Sequence, residues 1–423
     1  MATYEDFVKN AIEQYQKLPQ ETSELYKRYF VAVPFELMNY IGKGNGNAAE
    51  IEGIVDNALK GSIKFDVVLT SRSASSASEF AKIEEAGRHF NEGMHSNEED
   101  KYVAFIQAYA KNVVVINVPK NANVKLNMLV SNSDEPLNTK IIVNVDENAS
   151  LSLFEYYAST AANTSSTGAI HEIRMKADAN AEINCLHNEN DKTVVLAFCK
   201  NRIDRSANLR FNSVYNGGMV TRVRNYIDAN SDMSNVDVTE IVFGSKTQKF
   251  DVATKILNAG KGSNASLQTK AALMDTSFCI MKGYAKIARG ASNSRSYVHE
   301  RGILLDKGAK VDGLPDMSVD ENNVKATHSS ATAPVDADTV FYLMSKGINE
   351  TGVKKLIVNG FFSSELAKIS NMPMKELSMA VIKRKLETKG FGETPEASTK
   401  DIWVVASDVN KDGIFKGHYK YRE

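Results

Sequence analysis

Asn148-Ala149-Ser150-Leu151-Ser152-Leu153 opens on a turn former, follows it with a small residue, and then alternates polar and apolar positions. The phrase returns as Asn121-Ala122-Asn123-Val124-Lys125-Leu126, Asn180-Ala181-Glu182-Ile183, Ser206-Ala207-Asn208-Leu209, Asn264-Ala265-Ser266-Leu267 and Gly308-Ala309-Lys310-Val311. Its first residues stand 27, 32, 26, 58 and 44 positions apart, with Ser234-Asn235-Val236-Asp237-Val238 near the middle of the widest gap. Gly290-Ala291-Ser292 divides the last gap. Self-similarity at a period of roughly 20–50 residues marks a stacked architecture, in which each unit buries its apolar face against its neighbours. Apolar residues at period two make the units strands. The expected fold is a β-solenoid.

Outward from the repeats the pattern changes on both sides. Residues 1–111 read as a mostly helical region: Glu5 to Leu18 ends at Pro19, Glu21 to Phe30 makes a second short helix, and Ser78 caps a third running to about His89. Ile63 to Leu69 has the alternation of a strand, and Glu98 to Lys111 sets Tyr102, Phe105, Ile106 and Tyr109 on one helical face. Residues 112–334 form the β core, with no helix of convincing length to serve as a crossover, which excludes a doubly wound sheet. Residues 335–390 read as a helical domain. Asp336 or Asp338 caps a first helix that Gly347 stops, Asn349 caps a second, and Pro373 opens a third. Residues 391–423 have the look of a hairpin, Ile402 to Val409 against Ile414 to Tyr421.

Composition narrows the function. Lys and Arg (51) balance Asp and Glu (52), so no global field draws nucleic acid or an anionic membrane. No apolar run approaches the roughly 20 residues of a membrane span. The opening MATYEDFVKNAIEQ lacks the basic start and apolar core of a signal peptide. Three cysteines in 423 residues fit a reducing compartment, and the expected location is the cytoplasm.

Few motifs carry chemistry. Gly42-Lys43-Gly44-Asn45-Gly46 lacks the order that cradles phosphate, and Asp408-Val409-Asn410-Lys411-Asp412-Gly413 meets Tyr419 where a calcium loop needs Glu. Cys185 and His187 share a strand face, Cys185 being read as a small buried residue, and Cys199 and Cys279 likewise read as core. His299, in His299-Glu300-Arg301, and His328 fall one to two rungs apart. Stacking can bring them together, and two imidazoles with a carboxylate suit Fe(II) or Zn(II). Each also reads as a hydrogen-bonding histidine at an interface. Asp237, Glu240, Asp251 and Arg222 are the residues a polysaccharide-active solenoid enzyme would use, and they read equally well as solvated strand positions.

The segment Ile303 to Phe362, ILLDKGAKVDGLPDMSVDENNVKATHSSATAPVDADTVFYLMSKGINETGVKKLIVNGFF, resembles the signature region of the SufB/SufD family of iron–sulfur cluster assembly proteins. The D-K-G-A-K-V-D turn, Pro315, the strand end around His328, the F-Y-L-x-S-x-G-I helix end and the closing L-I-V-N-G-F-F carry the likeness. Asp100 to Val124, DKYVAFIQAYAKNVVVINVPKNANV, resembles that family's entry into its solenoid.

The resemblance implies a helical N-terminal region, a right-handed parallel β-helix core and a C-terminal helical domain. It implies dimerisation through the β-helix, with a homodimer or a SufB/SufD-type partner chain, and docking of a SufC-type ABC ATPase on the C-terminal helices. Val335 to Ile369 would form that docking surface, with Phe341, Tyr342, Ile357 and Phe361 as contacts. Iron or a nascent iron–sulfur cluster would be held transiently, with His328 and His299 as the metal ligands. SufB-type chains carry a cysteine on a late strand and a glutamate after the signature histidine. Here His299 or a neighbour takes the first place and Ser329 the second, and Ala326 replaces a cysteine of SufD-type chains. Only His328 carries over directly, and His299-Glu300-Arg301-Gly302-Ile303-Leu304-Leu305 runs closer to SufD. The favoured function is a non-enzymatic scaffold subunit. A polysaccharide-active solenoid enzyme and a purely structural solenoid are the competing classes.

Overall fold

A chain that bends at every rung needs one residue in the left-handed region and, just inside the bend, a side chain small enough to leave the corner room. The computed structural model describes residues 4–23, 27–34, 36–37, 51–55, 66–69, 93–110, 112–132, 134 and 136–387. In it Asn121, Asn148, Asp178, Ser206, Met233 and Asn293 hold φ between 55° and 63°, and Gly262 sits at 64°. The next residue inward is always Ala or Ser: Ala149, Ala179, Ala207, Ser234, Ser263 and Ser294 are all fully buried. Each bend closes with a backbone hydrogen bond, as from Ala149 N to the Asp146 carbonyl at 3.1 Å. The recurring phrase is therefore a corner.

Each rung gives one strand to each of two sheets. The first sheet runs β1 (Ile51–Val55), β4 (Asn123–Asn132), β6 (Ser150–Ser159), β8 (Asn180–Asn188), β10 (Asn208–Tyr215), β12 (Asn235–Gly244), β14 (Asn264–Leu273), β16 (Arg295–Leu304), β19 (Lys325–Pro334). The second runs β2 (Asp66–Leu69), β3 (Asn112–Val118), β5 (Leu137–Val145), β7 (Ser165–Met175), β9 (Thr193–Ile203), β11 (Val220–Ala229), β13 (Lys249–Asn258), β15 (Phe278–Ile287), β17 (Lys310–Gly313), with β18 (Asp316–Val319) also on β15. β1 and β2 pair antiparallel and cap the N-terminal end; the other pairs are parallel. This is a parallel β-helix.

Register fixes the true period. Asn123, Ser150, Asn180, Asn208, Asn235, Asn264, Arg295 and Lys325 stack in line, so a rung takes 27–31 residues. Asn180, Asn208, Asn235 and Asn264 form an amide ladder, in which the Nδ2 of each of the last three donates to the Oδ1 of the rung before at 2.9–3.0 Å. Gly308-Ala309-Lys310-Val311 opens β17 at the opposite corner, which explains its irregular spacing from the other copies. Inside, Leu126, Leu153, Ile183, Phe211, Val238, Leu267 and Val298 form one apolar column across the first sheet.

Helices and loops cover the outer faces. On the second sheet, α1 (Tyr4–Lys17) packs with α2 (Lys101–Tyr109), whose N-cap Asp100 accepts from Tyr102 N. The described residues of the expected helix at Glu21–Phe30 are irregular instead. Long-range ion pairs hold this stretch down: Glu21 meets Arg224 at 2.7 Å and Arg222 at 3.3 Å, Asp251 accepts from Val31 N at 2.9 Å, and Lys282 donates to the Tyr29 carbonyl at 2.9 Å. Arg222 and Asp251 are fully buried, so the solvated reading of these positions is wrong. On the first sheet lie α3 (Ala337–Ser345), α4 (Glu350–Lys368) and α5 (Met372–Glu387). Val358 and Phe362 bury against Phe243, Lys270 donates to the Phe361 carbonyl at 2.7 Å, and Lys354 pairs with Asp306 at 2.7 Å. The glycine cluster at 42–46, the helix expected at 78–89 and the hairpin expected at 391–423 lie outside the described residues.

Candidate functional site

The last rung is where the solenoid stays open. Among the described residues β19 has β16 on one side and no strand on the other, and every one of its residues is exposed or partly exposed. Such an edge presents unpaired backbone donors and acceptors, a template for another chain. His328 aligns with Val298 and so extends the apolar inner column, as its eighth member, into the open end. His299 aligns with Ser329, and its Nδ1 lies 2.8 Å from that hydroxyl. Because successive strand residues point to opposite faces, the one-residue offset puts His328 on the inner face and His299 on the outer. Glu300 shares the inner face with His328 and is fully buried, accepting from Gly283 N at 2.7 Å. Burial, with the Glu240 charge adding to it, raises the Glu300 pKa to about 8.

Beside this end stands an apolar helix face. α3 has no buried residue; Asp336 caps it by accepting from Thr339 N, and Gly347 follows its end at φ +88°. Phe341 is 75% exposed and Tyr342 59%, with Met344 and Leu356 nearby at 45% and 52%. Ile357 and Phe361 instead turn toward the first sheet, where the Phe361 ring sits 4.9 Å from Lys270 Nζ.

A second constellation lies inside the solenoid. Met128, Glu155, Cys185, Ser213, Glu240, Thr269, Glu300 and Ser330 align as an inner column of the first sheet. His171, Cys199, Asn225, Thr254 and Gly283 align opposite on the second. Charges and polar groups are costly here unless paired or hydrogen-bonded. Glu240 takes hydrogen bonds from Asn225 at 3.1 Å and Thr269 at 2.7 Å. Glu155 Oε2 lies 2.7 Å from His171 Nε2, 2.6 Å from the Tyr157 hydroxyl and 3.8 Å from Cys185 Sγ. Burial works against both charges, yet the His171 imidazolium outweighs it to lower the Glu155 pKa, and the carboxylate raises that of His171. Burial, then the Glu155 charge, pushes the Cys185 thiol well up. Glu155, His171 and Cys185 are all buried, and their ligand atoms lie within 4.8 Å of one another. Next along, His187 stacks between Tyr157 (4.3 Å) and Tyr215 (5.4 Å).

Sequence reasoning placed Cys185 and His187 on one face and missed Glu155 and His171. The available signal was a charge at an inward position of the run Leu151, Leu153, Glu155, Tyr157. The residues nominated for an enzyme do not converge: Glu240 points inward, while Arg222 and Asp251 lie on the outer face of the other sheet.

The fold and its exposed end define a parallel β-helix whose edge strand is uncovered among the described residues, followed by a helix with an exposed apolar face. Residues 127–361, more than half of the chain, match the SufBD core domain of SUF system FeS cluster assembly, and the chain belongs to this family. It is 28% identical over 151 residues to the iron-sulfur cluster assembly protein SufD of Bacillus subtilis, covering 36% of this chain and 35% of that protein. A SufBD family protein of Mycobacterium tuberculosis is 27% identical over 205 residues, 47% of this chain and 52% of the relative. One from Staphylococcus epidermidis is 23% identical over 276 residues, 63% and 59%. The matches thus span from about a third to three-fifths of these relatives' length. Among the described residues no helix is long and apolar enough to cross a membrane.

Proposed function

We propose that this chain is a non-enzymatic scaffold subunit of a cytoplasmic SUF-type iron–sulfur cluster assembly complex. It docks a SufC-type ABC ATPase on α3 and α4, and pairs through β19 with a second SufB/SufD-type chain or another copy of itself. Iron or a nascent cluster is its transient cargo. His328, exposed on the inner face of the last rung, is a ligand from this chain, and the second chain completes the set. His299 faces outward and can serve only a group on that side. The observation that carries the reading is the juxtaposition of an uncovered edge strand with a helix that exposes Phe341, Tyr342 and Met344. Exposed apolar patches of this kind on a folded chain mark interaction sites.

Co-purification of the full chain with a SufC-type ATPase tests it. Phe341→Asp is expected to weaken association more than about tenfold, as loss of an aromatic anchor does. The unfolding free energy should change by less than about 0.5 kcal/mol, since Phe341 is 75% exposed. Failure of the unaltered chain to bind the ATPase in any nucleotide state would remove the docking role.

A further inference from the structure

We propose that Glu155, His171 and Cys185 form a closed interior site for one divalent first-row ion of borderline softness, Zn(II) fitting best and Fe(II) next. The three ligand atoms come from three successive strands, β6, β7 and β8, and from both sheets. A carboxylate oxygen, an imidazole nitrogen and a thiolate are the donor set such ions take.

Two details point to a ligand and not merely to a satisfied polar cluster. Glu155 Oε1 is buried with no hydrogen-bond partner, although Oε2 has three neighbours. The other is the second bond of the His171 ring, made to the Phe198 backbone carbonyl. With Nε2 turned to Glu155, that bond falls to Nδ1, the arrangement that fixes a metal-binding imidazole and its tautomer. Tyr157, 2.6 Å from Glu155 Oε2, would orient the carboxylate in the same way.

Charge balance favours occupancy. Binding M(II) takes a neutral imidazole nitrogen and a thiolate, so any proton on His171 Nε2 or Cys185 Sγ leaves to solvent. The product is M(II) with one carboxylate, one thiolate and a neutral imidazole, which carries no net charge. A neutral assembly suits a dry interior where an unpaired charge would be costly. The site is enclosed, so the ion enters during folding or through transient opening of the rungs, and it would then strut the two sheets together.

The inference rests on the solenoid interior and not on the docking surface, so the two fail separately. The full chain is refolded anaerobically with Co(II) as a spectroscopic substitute for Zn(II). The expected result is one Co(II) per chain with thiolate-to-cobalt charge-transfer absorption and the visible bands of a tetrahedral site. Cys185→Ser should abolish the charge-transfer band, and His171→Gln should weaken binding more than about tenfold. Cys279→Ser, seven strands further along in the core, should change neither. An unaltered chain that folds by circular dichroism but takes up no stoichiometric Co(II) overturns the proposal. So does a charge-transfer band that survives in Cys185→Ser. Should either variant fail to fold, metal content and spectrum of the unaltered chain still decide the matter.

Discussion

Asp251→Ala is expected to destabilise the chain by about 3–5 kcal/mol, the range for removing one partner of a buried ion pair. Its Oδ1 accepts from Lys282 Nζ at 2.7 Å and Arg224 Nη1 at 2.8 Å, and Oδ2 takes Val31 N at 2.9 Å and Arg224 Nη2 at 3.1 Å. Arg222 stands 3.6 Å away. Without this carboxylate three buried cations face one another, with Glu21 and Asp100 left beside Arg222 and Arg224. The stretch carrying Val31 loses its hydrogen bond to the second sheet, so limited proteolysis should cut there before the solenoid opens. Urea titration followed by circular dichroism gives the magnitude, and a midpoint equal to that of the unaltered chain would contradict it.

The same network sets the acid response. Buried Asp251 is held well below the ordinary carboxylate range, because Arg224, Arg222 and Lys282 together outweigh its burial; Glu172, beside His95 and Lys140, is held down likewise. An unfolded chain protonates both groups first. Their stabilisation is therefore complete above the unfolded value and is lost as pH falls through and below it. Asp251→Ala should flatten that acid slope.

Phe211→Ala is expected to cost about 3–5 kcal/mol, the usual price of emptying a buried aromatic site. Phe211 is 3% exposed and sits mid-column, with Ile183 on the rung below and Val238 on the rung above. Neither neighbour can reach far into the gap, since hydrogen-bonded rungs fix their spacing. A solenoid is stabilised mainly by nearest-neighbour contacts, so the loss should stay local. Hydrogen exchange should accelerate most in β8, β10 and β12 and least in β4 and β16. Uniform acceleration along the chain would count against the rung-by-rung account.

The corners and the strand alternation were legible because both are local. A left-handed turn residue followed by Ala or Ser states its geometry within a few residues, as does the cap at Asp336. What the sequence concealed is long-range. Glu21 reads as helical until Arg222 and Arg224, two hundred residues on, extend it across the sheet. Glu155 and Cys185 become neighbours only when the rung between them takes 30 residues, within a spread of 27–31 that no single phrase declares. His299 and His328 show how sharp that dependence is. Their strands are adjacent as expected, yet a one-residue offset sends the imidazoles to opposite faces. Phe361 and Phe341 look alike in the sequence, but α4 packs Phe361 against the first sheet while α3, which buries none of its residues, leaves Phe341 in solvent.

The scaffold reading is tested most directly by acid-labile sulfide, which an interior Zn(II) or Fe(II) ion would not contribute. The full chain is isolated anaerobically with its SufC-type ATPase and second SufB/SufD-type chain, supplied with iron and sulfide, and assayed for bound sulfide. The account predicts sulfide retained by the complex and lost in His328→Ala, while the complex itself still assembles. Sulfide retained undiminished in His328→Ala, or never held by the intact complex, would contradict it.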